Sequence, residues 1–137
     1  MKKLFVLTFL LACISCQKEN ATPSNTADTF DPSKATLIKG GSFIGVNHSV
    51  SGTSALYESS GKKIVLLDPF TSQNGPDLKV YLSKDQNASQ YISLGKLKST
   101  SGKQSYEVPG NPDAKDYTHV LIWCEQFTVL FGKSELK

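Results

Sequence analysis

Arginine is missing from this chain of 137 residues: all fifteen basic side chains are lysine. A nucleic-acid reader without one guanidinium fork lacks the group that binds guanine and phosphate bidentately, so nucleic acid drops out as a partner. Cysteine is scarce at three residues, and the one methionine is Met1. Outside the first sixteen residues no Cys-Xaa-Xaa-Cys pair and no Cys-His haem-attachment motif occurs, which excludes covalent c-type haem and a dithiol exchange enzyme. Glycine (10) and proline (6) are too few for a fibrous or low-complexity chain. What remains is an ordinary balance of 39% hydrophobic and 20% charged residues, enough for one globular domain.

The start of the chain reads as an export leader. Lys2 and Lys3 precede a short apolar core from Leu4 to Ala12. That core is too short to span a bilayer, which takes about 20 apolar residues. Cys13 and Cys16 follow it. Small residues before a cysteine at this point resemble a bacterial lipobox, where the leader is cut and the cysteine becomes the lipidated first residue. Leu10-Leu11-Ala12-Cys13 fits the lipobox pattern. Cys16-Gln17-Lys18-Glu19-Asn20 resembles the Lys-acid flank of surface lipoproteins of the Bacteroidetes. Residues 1–16 are therefore expected to be a lipoprotein signal with Cys16 as the anchor and Cys13 as the alternative. Loss of Lys2 and Lys3 leaves thirteen lysines against twelve acids, so no broad basic field. A multi-chain lipid is a stable anchor where a single chain is marginal. The expected location is the cell envelope, at the outer membrane, facing either the periplasm or the exterior.

Residues 17–34 are polar and lack hydrophobic periodicity, the composition of a flexible tether. Residues 35–137 then form the domain. Its short β-rich runs alternate with turn sequences such as Ser59-Ser60-Gly61, Asn74-Gly75-Pro76-Asp77 and Pro109-Gly110-Asn111-Pro112-Asp113. The expected runs are Thr36–Lys39, Gly41–Val46, Val50–Glu58, Lys63–Leu67, Leu78–Leu82, Tyr91–Lys98, Gln104–Val108, Thr118–Cys124 and Phe127–Phe131. This spacing predicts an all-β fold, a single antiparallel β-sandwich or flattened barrel of about 8–9 short strands. Alternation assigns the faces. Leu78, Val80 and Leu82 share one face. Val120, Ile122 and Cys124 share another, with Leu121 and Trp123 behind them. Phe127, Val129 and Phe131 read as a further apolar face.

Cys124 is the cysteine left in the domain. A lone cysteine in an exported protein is either packing, as a small hydrophobe, or a reactive thiolate or ligand. Of the two histidines, His119 lies five residues before Cys124 on an extended strand, so it points to the opposite face. His48 lies elsewhere in the chain and is free to approach the sulfur.

Several segments in order resemble the DM-thirteen, or electron-transfer DM, domain. They include Gly41-Ser42-Phe43, His48-Ser49-Val50-Ser51-Gly52-Thr53, Leu67-Asp68-Pro69-Phe70 and Asn74-Gly75-Pro76-Asp77-Leu78. Val80-Tyr81-Leu82-Ser83, Leu94-Gly95-Lys96-Leu97-Lys98 and Gly102-Lys103-Gln104-Ser105-Tyr106-Glu107-Val108-Pro109 follow. The most specific piece is Val120-Leu121-Ile122-Trp123-Cys124, then Phe127 and Val129-Leu130-Phe131-Gly132. Ser134 departs from the usual alanine. The resemblance implies an extracellular β-rich module proposed to act in electron transfer, with its cysteine as a bare thiol or as a ligand to a group such as haem. Carried over, the redox or ligand candidates are Cys124, His48 and Trp123. A haem would be held through Cys124 or His48, and the partner would be an envelope redox protein.

Other patterns carry less. Asp68, Asn74 and Asp77 bring oxygen atoms to one turn, which suits calcium or, more simply, turn capping, so no metal site is assigned. Tyr57, Tyr81, Tyr91, Tyr106 and Tyr117 suit a sugar-binding face or ordinary strands. No serine-nucleophile elbow is present, and no catalytic residue is named. The second functional class is thus a non-catalytic binding or adhesion module for glycan or protein, with Cys124 as core packing.

Overall fold

The structure is a computed structural model and describes residues 28–137. The expected signal with Cys13 and Cys16, and most of the expected tether, lie outside the described residues. The strands are β1 (Thr36–Gly45), β2 (Val50–Ser59), β3 (Lys62–Ser72), β4 (Leu78–Ser83), β5 (Tyr91–Lys96), β6 (Gln104–Glu107), β7 (His119–Cys124) and β8 (Val129–Glu135). All pair antiparallel, in the order β5-β4-β7-β8-β1-β2-β3-β6, as one nearly closed, barrel-like sheet. Two single 3-10 turns, Pro32–Lys34 and Ala114–Asp116, are the only helical pieces among the described residues. The all-β expectation is met.

Eight strands replace nine because the first two runs are one. β1 pairs with β2 from Thr36 to Ser42 and with β8 from Phe43 to Gly45, so it joins the two halves of the sheet. Gly41 makes the crossing possible, because a Cβ there would run into the Glu135 backbone. β3 is longer than alternation suggests and continues through Pro69. Pro69 has no N–H to give to a ladder. Opposite it the pairing shifts between Gly52 and Ser54, and Gly52, at φ 109°, lies against the Pro69 carbonyl. The β2–β3 hairpin turns on Ser60 and Gly61, with φ of 52° and 74°, the left-handed pair that suits the twist of two-residue hairpins.

One expected strand is displaced. Phe127 is not in β8. It sits at the tip of the turn from Glu125 to Thr128 and is 63% exposed, so it shares no apolar face with Val129 and Phe131. Thr128 has φ 53°, which reverses the chain and delays the strand to Val129. The near end of the tether is also engaged. Asp28 accepts from the Ser105 hydroxyl at 2.7 Å and also from the Ser105 amide, and the Phe30 ring meets Tyr57 edge-on at 5.5 Å. Residues read from composition as the last part of a free linker are thus seated on the outer face of β2 and β6.

Inward alternation builds the core. Val80 and Leu82 of β4, Val120 and Ile122 of β7, and Leu56 and Val65 across the barrel are all essentially inaccessible. Each such side chain is worth roughly 1.5–3 kcal/mol relative to exposure. Among the polar groups the interior admits is the Ser54 hydroxyl, which donates to the Ser134 hydroxyl at 2.9 Å. Beyond the β6 edge, side chains do the work of a ladder. The Lys98 amide donates to the Tyr106 hydroxyl at 2.9 Å, which donates to Gln104 Oε1 at 2.6 Å, and Gln104 Nε2 donates to the Ser99 carbonyl at 2.8 Å. These bonds tie the chain leaving β5 back onto β6.

Candidate functional site

β7 carries the chemistry at its C-terminal end. Cys124 is its last residue, paired to Leu78 of β4 and to Val129 of β8. Its side chain follows Val120 and Ile122 into the core and is 0% exposed. A thiol there behaves as a small hydrophobe, since reactivity needs a thiolate, and a thiolate needs a cation, a metal or a helix N-terminus beside it.

His48 lies in the link between β1 and β2. Its ring stacks on Phe131 with centroids 3.7 Å apart and planes at 27°. Its polar partner is Gln73, with Nδ1 at 3.3 Å from Oε1, and not Cys124. Phe131 belongs to the same core cluster as Cys124, so His48 covers that end of the barrel through an aromatic ring. His48, Ser49, Ser51, Thr71 and Gln73 help to line an open cavity of about 590 Å³, and Cys124 is not in its wall.

A haem needs an apolar slot with an axial ligand at its mouth. The sulfur has no such slot, and the cavity at His48 is walled largely by polar side chains and backbone. The residues around both candidates therefore do not fit a haem in this fold.

Trp123 is on the opposite side of β7 from Cys124 and is partly exposed. It is not alone there. Tyr81 of β4 lies 6.2 Å from it, centroid to centroid, at 24°, and Tyr91 of β5 stacks on Tyr81 at 4.0 Å and 17°. The register explains the meeting. Lys79 is opposite Trp123 and Tyr81 opposite Leu121, while Tyr91 is opposite Ser83, so both aromatic contacts are diagonal pairs across neighbouring strands. Diagonal neighbours are within reach of aromatic rings.

Tyr81 is only 2% exposed, yet it lies outside the main core cluster, as does Leu121 behind it. Its hydroxyl donates to Glu125 Oε1 at 2.6 Å. Glu125 is the first residue of the β7–β8 turn. It faces the Lys79 ammonium at 3.7 Å, which in turn contacts Asp77 at 2.8 Å. Burial, then the bond to the Glu125 carboxylate, holds the Tyr81 phenol protonated well above its ordinary range. The bond to Asp77 raises Lys79 as well. The result is a row of three rings from a 46% exposed Tyr91, through a buried phenol bonded to an acidic group, to the indole beside Cys124.

The other sequence candidates scatter. His119 is partly buried on the outer face, with Nδ1 2.8 Å from Thr118 Oγ1, and burial lowers its pKa below the usual imidazole range. Asn74 caps the Gly75 amide at 2.9 Å, Asp77 serves Lys79, and Asp68 is exposed with its carbonyl accepting from Thr53 at 2.6 Å. Among the described residues no three His, Cys, Asp or Glu side chains converge as a metal site. Tyr57 packs under Phe30, and Tyr106 is inside the barrel, where burial raises its phenol to about 12. Tyr117 lies by Lys84, at 5.7 Å. Of the five tyrosines only Tyr81 and Tyr91 come together. Glu125 was not among the sequence candidates. Its position directly after Trp123-Cys124 was visible, but its partner was not.

Against known proteins, a family model described as Electron transfer DM13 matches residues 42–136. No curated protein and no solved structure matches the chain. The matched span takes in nearly the whole barrel, and the chain belongs to the electron transfer DM13 family.

Proposed function

We propose that this DM13 chain is an envelope lipoprotein whose barrel serves electron transfer with an envelope redox protein, with Cys124 as its redox atom. The anchor in this reading is Cys16, with Cys13 as the alternative, at the outer membrane. The observation that carries it is the placement of Cys124 directly behind Trp123, at the inner end of an aromatic row that reaches the surface at Tyr91. A sulfur shut into the core is closed to ligands and to other thiols. An electron needs no such opening, because it travels through bonds and stacked rings.

A second reading has its own observation. Cys124 is 0% exposed and shares its face with Val120 and Ile122, which is also what simple packing looks like. The domain would then be a binding module for glycan or protein.

The full chain distinguishes the two. The native chain is oxidised by an outer-sphere one-electron oxidant, then denatured, alkylated and read at each cysteine by peptide mass spectrometry, because the 0% exposed sulfur is closed to alkylation before unfolding in either reading. Loss of the free Cys124 thiol supports the redox atom. A Cys124 thiol left intact supports packing. A Cys124→Ser variant that keeps the fold but loses electron exchange with its partner supports the first reading. One that is merely less stable supports the second.

A further inference from the structure

Tyr81 is the most unusual group on the outer face of the barrel. It is a phenol at 2% exposure, outside the main core, and its hydroxyl donates at 2.6 Å to the carboxyl side chain of Glu125. A buried hydroxyl needs some acceptor, and a backbone carbonyl would serve for stability alone. Here the acceptor is Glu125, held in place by Lys79 at 3.7 Å and itself exposed, so it can pass a proton on to water. One face of the phenol ring is covered by Tyr91 at 4.0 Å, which reaches solvent, and the indole of Trp123 lies 6.2 Å away. Together these supply the parts of a proton-coupled electron relay: a surface ring, a shielded ring with a fixed proton acceptor, and a third oxidisable ring.

We propose that Tyr91, Tyr81 and Trp123 form a one-electron relay, with Tyr81 as its shielded station and Glu125 as its proton acceptor. The partner it fits is a strong one-electron oxidant docking at Tyr91, of the class of a ferryl haem or a photogenerated metal complex. One electron leaves Tyr81 through Tyr91 to the oxidant, which is reduced by one. The phenolic proton crosses to Glu125 Oε1 as the electron leaves, and a neutral phenoxyl radical remains. A one-electron donor such as ascorbate refills it, and the proton returns from Glu125. Burial of Tyr81 protects the radical from solvent and from coupling with a tyrosine of another molecule. Trp123 extends the row to the strand that holds Cys124. The inference rests on the electron-transfer reading of the domain but not on Cys124 being its redox atom.

The test uses the full chain with tris(bipyridine)ruthenium as photo-oxidant and persulfate as the sacrificial acceptor. Transient absorption and freeze-quenched electron paramagnetic resonance follow the radical. The wild type is expected to form a long-lived tyrosyl radical with a solvent deuterium isotope effect on its formation. Tyr81→Phe keeps the ring stack and should lose the long-lived component. Tyr91→Leu should slow its formation. Glu125→Gln keeps a hydrogen-bond acceptor but not a base, and should slow formation by about 100-fold, the low end of what a positioned base contributes. A long-lived radical unchanged in Tyr81→Phe, or none in the wild type, overturns the relay. A radical at Tyr81 with Cys124 unmodified supports the relay and removes the sulfur from the mechanism. Oxidation of Cys124 without a tyrosyl radical does the reverse.

Discussion

The two faces of β7 are one residue out of step and belong to different environments. Val120, Ile122 and Cys124 face a closed apolar core that shuts the sulfur away from solvent. Leu121 and Trp123 face outward and are covered by a second, thinner layer built from Tyr81, with Tyr91 stacked upon it. The inner layer excludes charge. The outer layer brings a phenol, a carboxylate and an ammonium into contact. Burial alone therefore does not mark the chemistry of this barrel, since Cys124 and Tyr81 are equally hidden. What separates them is whether the buried polar atom has a partner that can exchange a proton.

Alkali should break both layers and tests the contrast at its strongest. Tyr106 on the inside has its phenol raised to about 12 by burial, and Tyr81 on the outside is raised too, by burial and by Glu125. A group whose pKa is raised on folding contributes stability that is whole below its unfolded value, about 10 for tyrosine, and is lost as pH rises through the folded value. Stability to urea should therefore hold up to about pH 10 and fall steeply beyond it. Tyr106→Phe and Tyr81→Phe should each flatten part of that fall. A curve identical to wild type in both variants would mean that neither phenol resists ionisation.

Much of the inner layer was legible in the sequence, because period-2 alternation reports directly on a two-faced strand. Leu78, Val80 and Leu82 point inward as read, and so does Cys124. Turns at Ser60-Gly61 and Pro76-Asp77 were legible too, since their residue types suit few other conformations. Alternation failed where backbone geometry intervened. It missed the continuation of β3 through Pro69 and the late start of β8 after Thr128. The outer layer was not legible as a unit. Tyr81, Tyr91 and Trp123 were each visible, but their meeting depends on the order β5-β4-β7 and on a diagonal register that no local pattern encodes. His48 is the converse case. The structure seats it on Phe131 rather than on the sulfur, a long-range contact with no local signature.

Removing the carboxylate sharpens the comparison on the outer side. Glu125→Ala leaves the Tyr81 hydroxyl buried without an acceptor, which costs about 1–3 kcal/mol. Tyr81→Phe removes the hydroxyl as well as the need for it, so the double variant should be more stable than the sum of the two single losses predicts. Urea unfolding of the four proteins measures the coupling. Additive losses would show that the 2.6 Å bond contributes nothing, and would leave Tyr81 as simple packing.

The smallest expected effect lies in the turn that joins the two layers. Thr128 is β-branched and held at φ 53°, a region that costs a residue of its kind of order 1 kcal/mol. The Thr128 amide donates to the Glu125 carbonyl at 3.3 Å, so the strained residue helps to place the acceptor of Tyr81. Glycine adopts that conformation freely but loses more entropy on folding, which offsets part of the relief. Thr128→Gly should therefore raise stability by only about 0.5 kcal/mol. If the turn is strained only to close the hairpin, Tyr81 stays bonded to Glu125 and its alkaline titration by ultraviolet absorbance does not change. If the strain also aims Glu125, the looser turn lets the carboxylate move away, and the Tyr81 phenol loses the part of its raised pKa that the bond supplies. A gain in stability with an earlier Tyr81 titration would show that this turn trades stability for the position of its acid.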